Sequence, residues 1–173
     1  MRLLFLNMAM ITGLCAGSCA LADTHDGQVD ITGTIRGGTC TVTTESASNN
    51  TVDMGVVGTG DFPAVGARSE PVEFTIELEN CGADVSTVHV TFTGTQVIQA
   101  TDLYALDDGG AQGLALEISD DRNTPIANEA PSRGYALTAS VDNSLKFYAA
   151  YKSITAVGGG VANASISFQT TYD

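Results

Sequence analysis

Basic residues are scarce in this chain, and their scarcity excludes whole classes of partner. The 173 residues include seven Lys and Arg against twenty Asp and Glu, which gives a formal net charge of −13. Proteins that bind nucleic acid or anionic membranes need clusters of cations, so we expect neither as a partner. The composition instead indicates an acidic surface on which separate copies repel one another.

Histidine is rarer still, and this limits the chemistry available to the protein. Neither His25 nor His89 has a Ser, Cys or carboxylate at the spacing of a catalytic triad, and no Gly-x-Ser-x-Gly motif is present. Two acidic pairs, Asp107-Asp108 and Asp120-Asp121, lack the Asp-x-Asp-x-Asp-Gly pattern of a calcium loop. We interpret them as turn carboxylates that face solvent. The sequence therefore predicts no catalytic residue, no metal site and no cofactor.

Long apolar runs are also lacking, except near the start of the chain. Arg2 is followed by mostly apolar residues 3–14 and by a small-x-small site, Ala20-Leu21-Ala22, which together predict a secretory signal peptide over residues 1–22. This run is too short and interrupted to span a membrane. A lipoprotein leader ending at Cys19 is the weaker alternative, because no Leu stands three places before it. Cleavage after residue 22 would leave 151 residues, the size of one domain, with a charge of −14 because Arg2 is removed.

Cysteine is sparse, and two of the four cysteines lie in the predicted leader. Cys40 and Cys81 are then the only pair, and in an exported chain such a pair most simply forms one disulfide. A disulfide that closes a loop of about forty residues would stabilise the fold by roughly 4 kcal/mol. A metal site is the poorer alternative, because two thiolates without a nearby His are half of a zinc site.

Short segments with alternating apolar and polar residues dominate the remaining sequence. Strands are predicted over residues 29–35, 40–42, 52–57, 72–79, 88–92, 114–118, 135–139, 145–151 and 161–173. Residues 45–50 are predicted to be a polar turn, and an acidic, Gly-rich connection is predicted to follow the 88–92 strand and to run through residues 107–110. Because no ten-residue helical period appears, the pattern predicts a single all-β domain, an antiparallel sandwich with an N-terminal arm.

The two ends of the predicted mature chain carry complementary patterns. On the last strand, one face carries Ala162, Ala164, Ile166, Phe168, Thr170 and Tyr172. No later strand follows, so at a sheet edge its backbone would be a template for association. Near the start, one face carries Val29, Ile31, Gly33 and Ile35. We interpret this arm as the segment that completes the last strand in a different copy; the alternative is an ordinary first strand that folds back onto its own domain.

Several segments, taken in order, carry a family resemblance. They are Gly33-Thr34-Ile35 leading to Cys40-Thr41-Val42, Asp53-Met54-Gly55, and residues 73–81, 147–151 and 162–168, with Gly160 fourteenth from the end and Tyr172 penultimate. Behind a signal peptide, this order resembles a subunit of chaperone–usher fimbriae, the type-1-pilus-like pilin family. Thr170 departs from the pattern, because the family often has a larger aliphatic residue there.

The resemblance implies an incomplete immunoglobulin-like β-sandwich that lacks its last strand and has a hydrophobic groove beside the C-terminal strand. It implies a donor-strand arm over residues 23–36, with inward residues Val29, Ile31, Gly33 and Ile35, and a pilin domain over residues 37–173. The groove edge would be formed by Gly160, Ala162, Ala164, Ile166, Phe168 and Tyr172.

The resemblance also implies the partners and the location. The partners would be a periplasmic chaperone, an outer-membrane usher and other fimbrial subunits, in a homopolymer or a heteropolymer. The subunit would be exported through the periplasm into a fimbria on the bacterial surface, where it would support cell adhesion. The alternative is a minor or tip subunit that binds a glycan receptor directly.

Overall fold

A computed structural model describes residues 38–48 and 50–173, and nearly all of their regular structure is β. The predictions on residues 1–37, which include the leader and the arm, lie outside the described residues. The strands are β1 (Thr41–Val42), β2 (Val72–Glu79), β3 (Thr87–Gly94), β4 (Gln96–Val97), β5 (Ala100–Ala105), β6 (Gln112–Asp120), β7 (Tyr135–Ala136), β8 (Asn143–Gly158) and β9 (Ile166–Tyr172). A five-residue helix, α1, spans Thr44–Ser48, and a 3-10 turn spans Thr59–Asp61. In these two ranges, no helix has the length and apolar character that a bilayer crossing requires.

The strands form two antiparallel sheets that enclose one core. The larger sheet has the order β1-β2-β8-β6-β5-β4, and the smaller has the order β7-β3-β9. Strand β3 shows how alternation builds the core, because Val88, Val90 and Phe92 are 0%, 0% and 2% exposed between polar neighbours. The Phe92 ring meets Phe147 of β8 edge to face, with centroids 5.1 Å apart. The predicted all-β sandwich is confirmed.

The Cys40–Cys81 disulfide is present and buried. It joins the residue before β1 to the segment just after β2, with a Cα–Cα distance of 4.0 Å. Strand β1 pairs with the last residues of β2, Thr41 with Glu79 and Val42 with Leu78. The bridge therefore fixes the start of the described chain to one end of the sandwich.

The prediction of a strand over residues 52–57 is wrong, and Gly55 supplies the reason. Gly55 has a φ of 65°, in the left-handed region that glycine tolerates best. Its N–H donates to Oδ1 of Asp53 over 2.9 Å, which closes a local turn instead of a ladder. The alternation changes phase at this point, so Val56 points fully into solvent. The segment follows the sandwich without pairing as a regular strand.

The boundaries of several other elements differ from the predictions. The predicted polar turn over residues 45–50 overlaps α1, which docks on β2 because the Ser46 hydroxyl accepts a hydrogen bond from the Glu77 N–H over 2.9 Å. Strands β4 and β5 occupy part of the predicted connection. Strand β5 escaped detection because Leu103 and Tyr104 are buried on opposite faces, and a strand covered on both faces does not alternate. Strand β8 runs for 16 residues, and the predicted strand over residues 135–139 shortens to the two residues of β7.

Candidate functional site

The face of the last strand is only half covered. From residue 161 to 173, odd-numbered side chains are exposed and even-numbered ones are half-buried without exception. In contrast, the neighbouring strand β3 buries its inward side chains almost completely. A strand whose inward face stays partly open borders a space that the described residues do not fill.

Within the part of the chain that the structure describes, the backbone of β9 is unpaired along one edge. Thr87 and Asp173 exchange both backbone hydrogen bonds, at 3.2 and 3.0 Å. Because bonded and non-bonded pairs alternate in an antiparallel ladder, the odd residues of β9 bond to β3. The even residues must then direct their N–H and C=O groups to the opposite edge; they are Ile166, Phe168, Thr170 and Tyr172. Among the described residues, no strand lies on that edge.

The alternation of exposed and half-buried side chains begins at residue 161, before the regular strand β9. The prediction placed the strand start at residue 161, but β9 begins at Ile166, because the paired stretch of β3 ends at Gly94. Residues 161–165 are held by the loop after β5 instead of by β3. The Asn163 carbonyl accepts a hydrogen bond from the Asp107 N–H over 2.8 Å, and the Val161 carbonyl accepts one from the Ala111 N–H over 2.7 Å. We call residues 107–111 the acidic loop and residues 160–172 the C-terminal bank.

A groove of about 1280 Å³ lies beside the C-terminal bank. On its far side is the irregular segment 50–57, whose Val52, Met54 and Val57 are half-buried. Inward residues of the larger sheet and Phe92 of β3 form its floor: Phe74, Ile76, Phe92, Leu114, Leu116, Ile118, Ala149 and Tyr151. The site is therefore a trough with an apolar floor, and along one bank runs a backbone edge that no strand of the described residues pairs.

Two close approaches fix the acidic loop against the bank. A Cβ atom on Gly110 would lie 2.1 Å from the carbonyl oxygen of Val161, and one on Gly160 would lie 2.8 Å from the backbone nitrogen of Ala111. Neither position can carry a side chain without moving backbone. Gly160, which the resemblance placed at the groove edge, thus has a steric reason to be glycine.

Tyr151 connects the floor of the groove to the bank. Its hydroxyl donates a hydrogen bond to the Ala162 carbonyl. Burial raises the pKa of Tyr151, with a smaller contribution from the charge of Asp53. The phenol therefore stays protonated at neutral pH and remains a donor to this carbonyl.

The two predicted acidic pairs differ in their exposure to solvent. Asp107 and Asp108 are exposed, as predicted. The solvent-facing interpretation is wrong for Asp120, which is buried because its carboxylate accepts hydrogen bonds from two backbone N–H groups of its turn, those of Arg122 and Thr124. Asp120 therefore stabilises the turn after β6.

The structure brings the predicted groove-edge residues to one bank. Gly160, Ala162, Ala164, Ile166, Phe168 and Tyr172 follow one another along it, together with Thr170. The predicted donor residues Val29, Ile31, Gly33 and Ile35 lie outside the described residues.

Sequence reasoning missed the floor of the groove, for example Phe74 and Tyr151. Both lie within predicted strands, but alternation gives only the inward direction of a side chain. Whether that side chain meets a packed core or an open groove depends on contacts that are distant in sequence.

Comparison with known proteins identifies the family. The family described as Fimbrial protein matches residues 29–173. The uncharacterized fimbrial-like protein YcbV of Escherichia coli K12 is 36% identical over 152 residues, which cover 86% of this chain and 87% of the relative.

Two solved structures are similar in fold. The P pilus rod subunit PapA is 28% identical, with a TM-score of 0.66, over 78% of this chain and 99% of that one. A subunit in the structure of a chaperone–usher pilus, solved to explain rod uncoiling, is 25% identical, with a TM-score of 0.66, over 90% of this chain and all of that one. The chain therefore belongs to the fimbrial protein family, whose members are structural pilus subunits and not enzymes.

Proposed function

We propose that this subunit polymerises by donor-strand exchange, in which residues 23–36 of one copy fill the groove of the next subunit. The observation that carries the proposal is that the even-numbered residues of β9 combine half-buried side chains with a backbone edge that no strand of the described residues pairs. Addition of a strand to an open sheet edge is an established mode of recognition, and donor-strand complementation of pilins is one of its forms.

The arm has the chemistry that the groove requires. Burial of Val29, Ile31 and Ile35 would contribute roughly 5–9 kcal/mol before the cost of ordering the arm. The arm backbone would pair with the free N–H and C=O groups of the bank, which would remove the exposed edge. Gly33, between two isoleucines, would leave space for a large side chain of the groove.

The place where the described chain begins supports antiparallel insertion of the arm. The Tyr172 hydroxyl donates a hydrogen bond to the Cys40 carbonyl over 3.4 Å, so the body of a subunit starts beside the C-terminal end of its own bank. In the proposed assembly, its own arm would leave from that end. An incoming arm that ran parallel to β9 would place the neighbouring body at the same end, in collision with it.

Antiparallel insertion places the two neighbours at opposite ends of the groove. The contact is then head to tail, and head-to-tail contacts that do not close into a ring generate filaments. The smaller sheet is already antiparallel throughout, and an antiparallel strand would extend its pattern.

The cellular route belongs to the same proposal. The predicted signal peptide would deliver the subunit to the periplasm, where a chaperone would cover the groove until an outer-membrane usher exchanges it for the arm of another subunit. The product is a fimbria on the cell surface that supports adhesion, in which this chain is a main or minor structural component.

A peptide-binding experiment tests the proposal. A labelled peptide of residues 23–38 with an amidated C-terminus should bind the mature subunit and slow its polymerisation. Gly110→Ala should weaken this binding by roughly tenfold, because the added Cβ would displace the Val161 carbonyl and with it the bank.

Gly60→Ala is the matched control, because a Cβ there meets no atom within 4 Å and the residue does not line the groove, so its binding should equal that of the wild type. Failure of the wild-type subunit to bind the peptide would refute donor-strand exchange. Equal binding by the two alanine variants would show that the acidic loop does not hold the bank.

A further inference from the structure

We infer that the arm is guided and aligned by charge, through contact of its Arg36 with Asp107 and Asp108 in the acidic loop of the neighbouring copy. The inference rests on the proposed donor-strand exchange and adds a polar contact at one end of the groove. Neither acidic side chain is buried, so both are available to an incoming chain.

The register of the arm limits where Arg36 can lie. From residue 162 to 172 the bank offers six inward positions, and the arm has four inward residues, at positions 29, 31, 33 and 35. Antiparallel pairing that keeps all four on the bank allows three registers. In these registers Arg36 falls opposite residue 161, 163 or 165.

The acidic loop lies directly behind this part of the bank. Its backbone bonds to the carbonyls of Val161 and Asn163, the odd-numbered residues that continue the edge paired by β3, although Ala111 also reaches the groove. The arm and the loop would therefore be separated by two strand spacings, about 10 Å. By alternation Arg36 would lie on the outward face of the arm, the face of the exposed odd residues of the bank. From there its long side chain could cross one strand towards an aspartate.

The charges of the arm itself favour this direction. Its N-terminal part carries Asp23, Asp26 and Asp30, and Arg36 is its only Lys or Arg. Antiparallel insertion takes the three aspartates away from the acidic loop and brings the arginine to it. Parallel insertion would bring like charges together, which opposes association.

The cations in the body of the subunit are largely engaged already, which increases the effect of a single cation in the arm. Four of the five Lys and Arg residues in the described ranges already form ion pairs within the chain: Arg68 and Lys152 with Glu117, Arg133 with Asp121, and Lys146 with Glu73. Two approaching subunits therefore meet with a large excess of negative charge. A cation at the end of the arm would offset the repulsion at the place where the chains join.

A charge-swap experiment tests the contact. The association rate of the amidated 23–38 peptide with the mature subunit is measured at about 20 mM and 300 mM salt, with wild-type and Arg36→Glu peptides and with wild-type, Asp107→Arg and Asp142→Arg subunits. Asp142 is a matched control, because it is exposed in the turn whose Ser140 N–H donates to the Cys81 carbonyl, at the disulfide end.

At low salt, Arg36→Glu should slow association with the wild-type subunit by roughly threefold to tenfold, and high salt should reduce the difference. Asp107→Arg should slow the wild-type peptide and restore the rate of the Arg36→Glu peptide. Asp142→Arg should leave the ratio of the two peptide rates unchanged.

The outcomes separate the contact from the exchange itself. The Arg36 contact would be overturned, with strand exchange intact, if both peptides associate at equal rates or if the Asp107→Arg subunit does not restore the rate of the Arg36→Glu peptide. Restoration of that rate by the Asp142→Arg subunit would also overturn the contact, because it would place Arg36 at the other end of the groove. If neither peptide binds any subunit, both the contact and the donor-strand proposal fail.

Discussion

Ile31→Asp is expected to abolish the fimbria while leaving the subunit folded on its chaperone. In the donor-strand account, Ile31 is absent from the core of its own domain and enters the apolar groove of the next subunit. A buried carboxylate without a partner costs several kcal/mol, which would cancel much of the gain from inserting the arm. Chaperone–subunit complexes should accumulate in the periplasm, and surface fibres should disappear. Quantifying both in the same cells is the measurement.

Thr32→Asp is the matched control for this variant. It introduces the same charge one residue later, on the polar face of the arm, and should assemble nearly normally. If residues 29–35 instead form an internal first strand, Ile31→Asp should misfold and be degraded before any complex forms. Loss of both the complex and the fibre would therefore contradict the account.

Attachment of a second copy of residues 23–36 after Asp173, through a short linker, should stabilise the mature subunit strongly. The added segment can turn back and run antiparallel to β9, so it fills the groove from within the same chain. Even a few kcal/mol of net gain would raise the melting temperature of a domain of this size by roughly 10–20 °C. Thermal unfolding followed by circular dichroism measures the shift.

The same fusion with Ile31→Asp in the appended copy only is the control, and it should melt close to the unfused subunit. The fused protein should also stay monomeric, because its groove is occupied. A fusion that melts at the same temperature as its control would show that the groove does not receive this segment.

Much of the sandwich could be predicted because its strands are covered on one face. Strand β2, strand β3 and the C-terminal bank alternate cleanly, and period-two alternation determines both the strand and its inward side. Two predictions failed for local reasons. The strand predicted over residues 52–57 is absent because Gly55 shifts the phase of the alternation, and β5 was not predicted because it is buried on both faces.

The groove itself could be predicted only in part. The sequence placed the even residues of the last strand on one face, but alternation does not reveal how fully that face is covered. That depends on the floor from β2, β6 and β8, on the irregular segment opposite, and on the acidic loop that replaces β3 beside Asn163. These contacts join parts of the chain that are far apart in sequence, and no local pattern encodes them.

Residue-resolved amide hydrogen exchange on β9 tests the central claim most directly. In the mature monomer, the amides of Ser167, Gln169 and Thr171 should be protected by β3, whereas those of Ile166, Phe168, Thr170 and Tyr172 should exchange rapidly from the open edge. Addition of the amidated 23–38 peptide should protect the even-numbered amides as well. Even-numbered amides that are already protected in the monomer, or that stay unprotected with the peptide bound, would contradict the account.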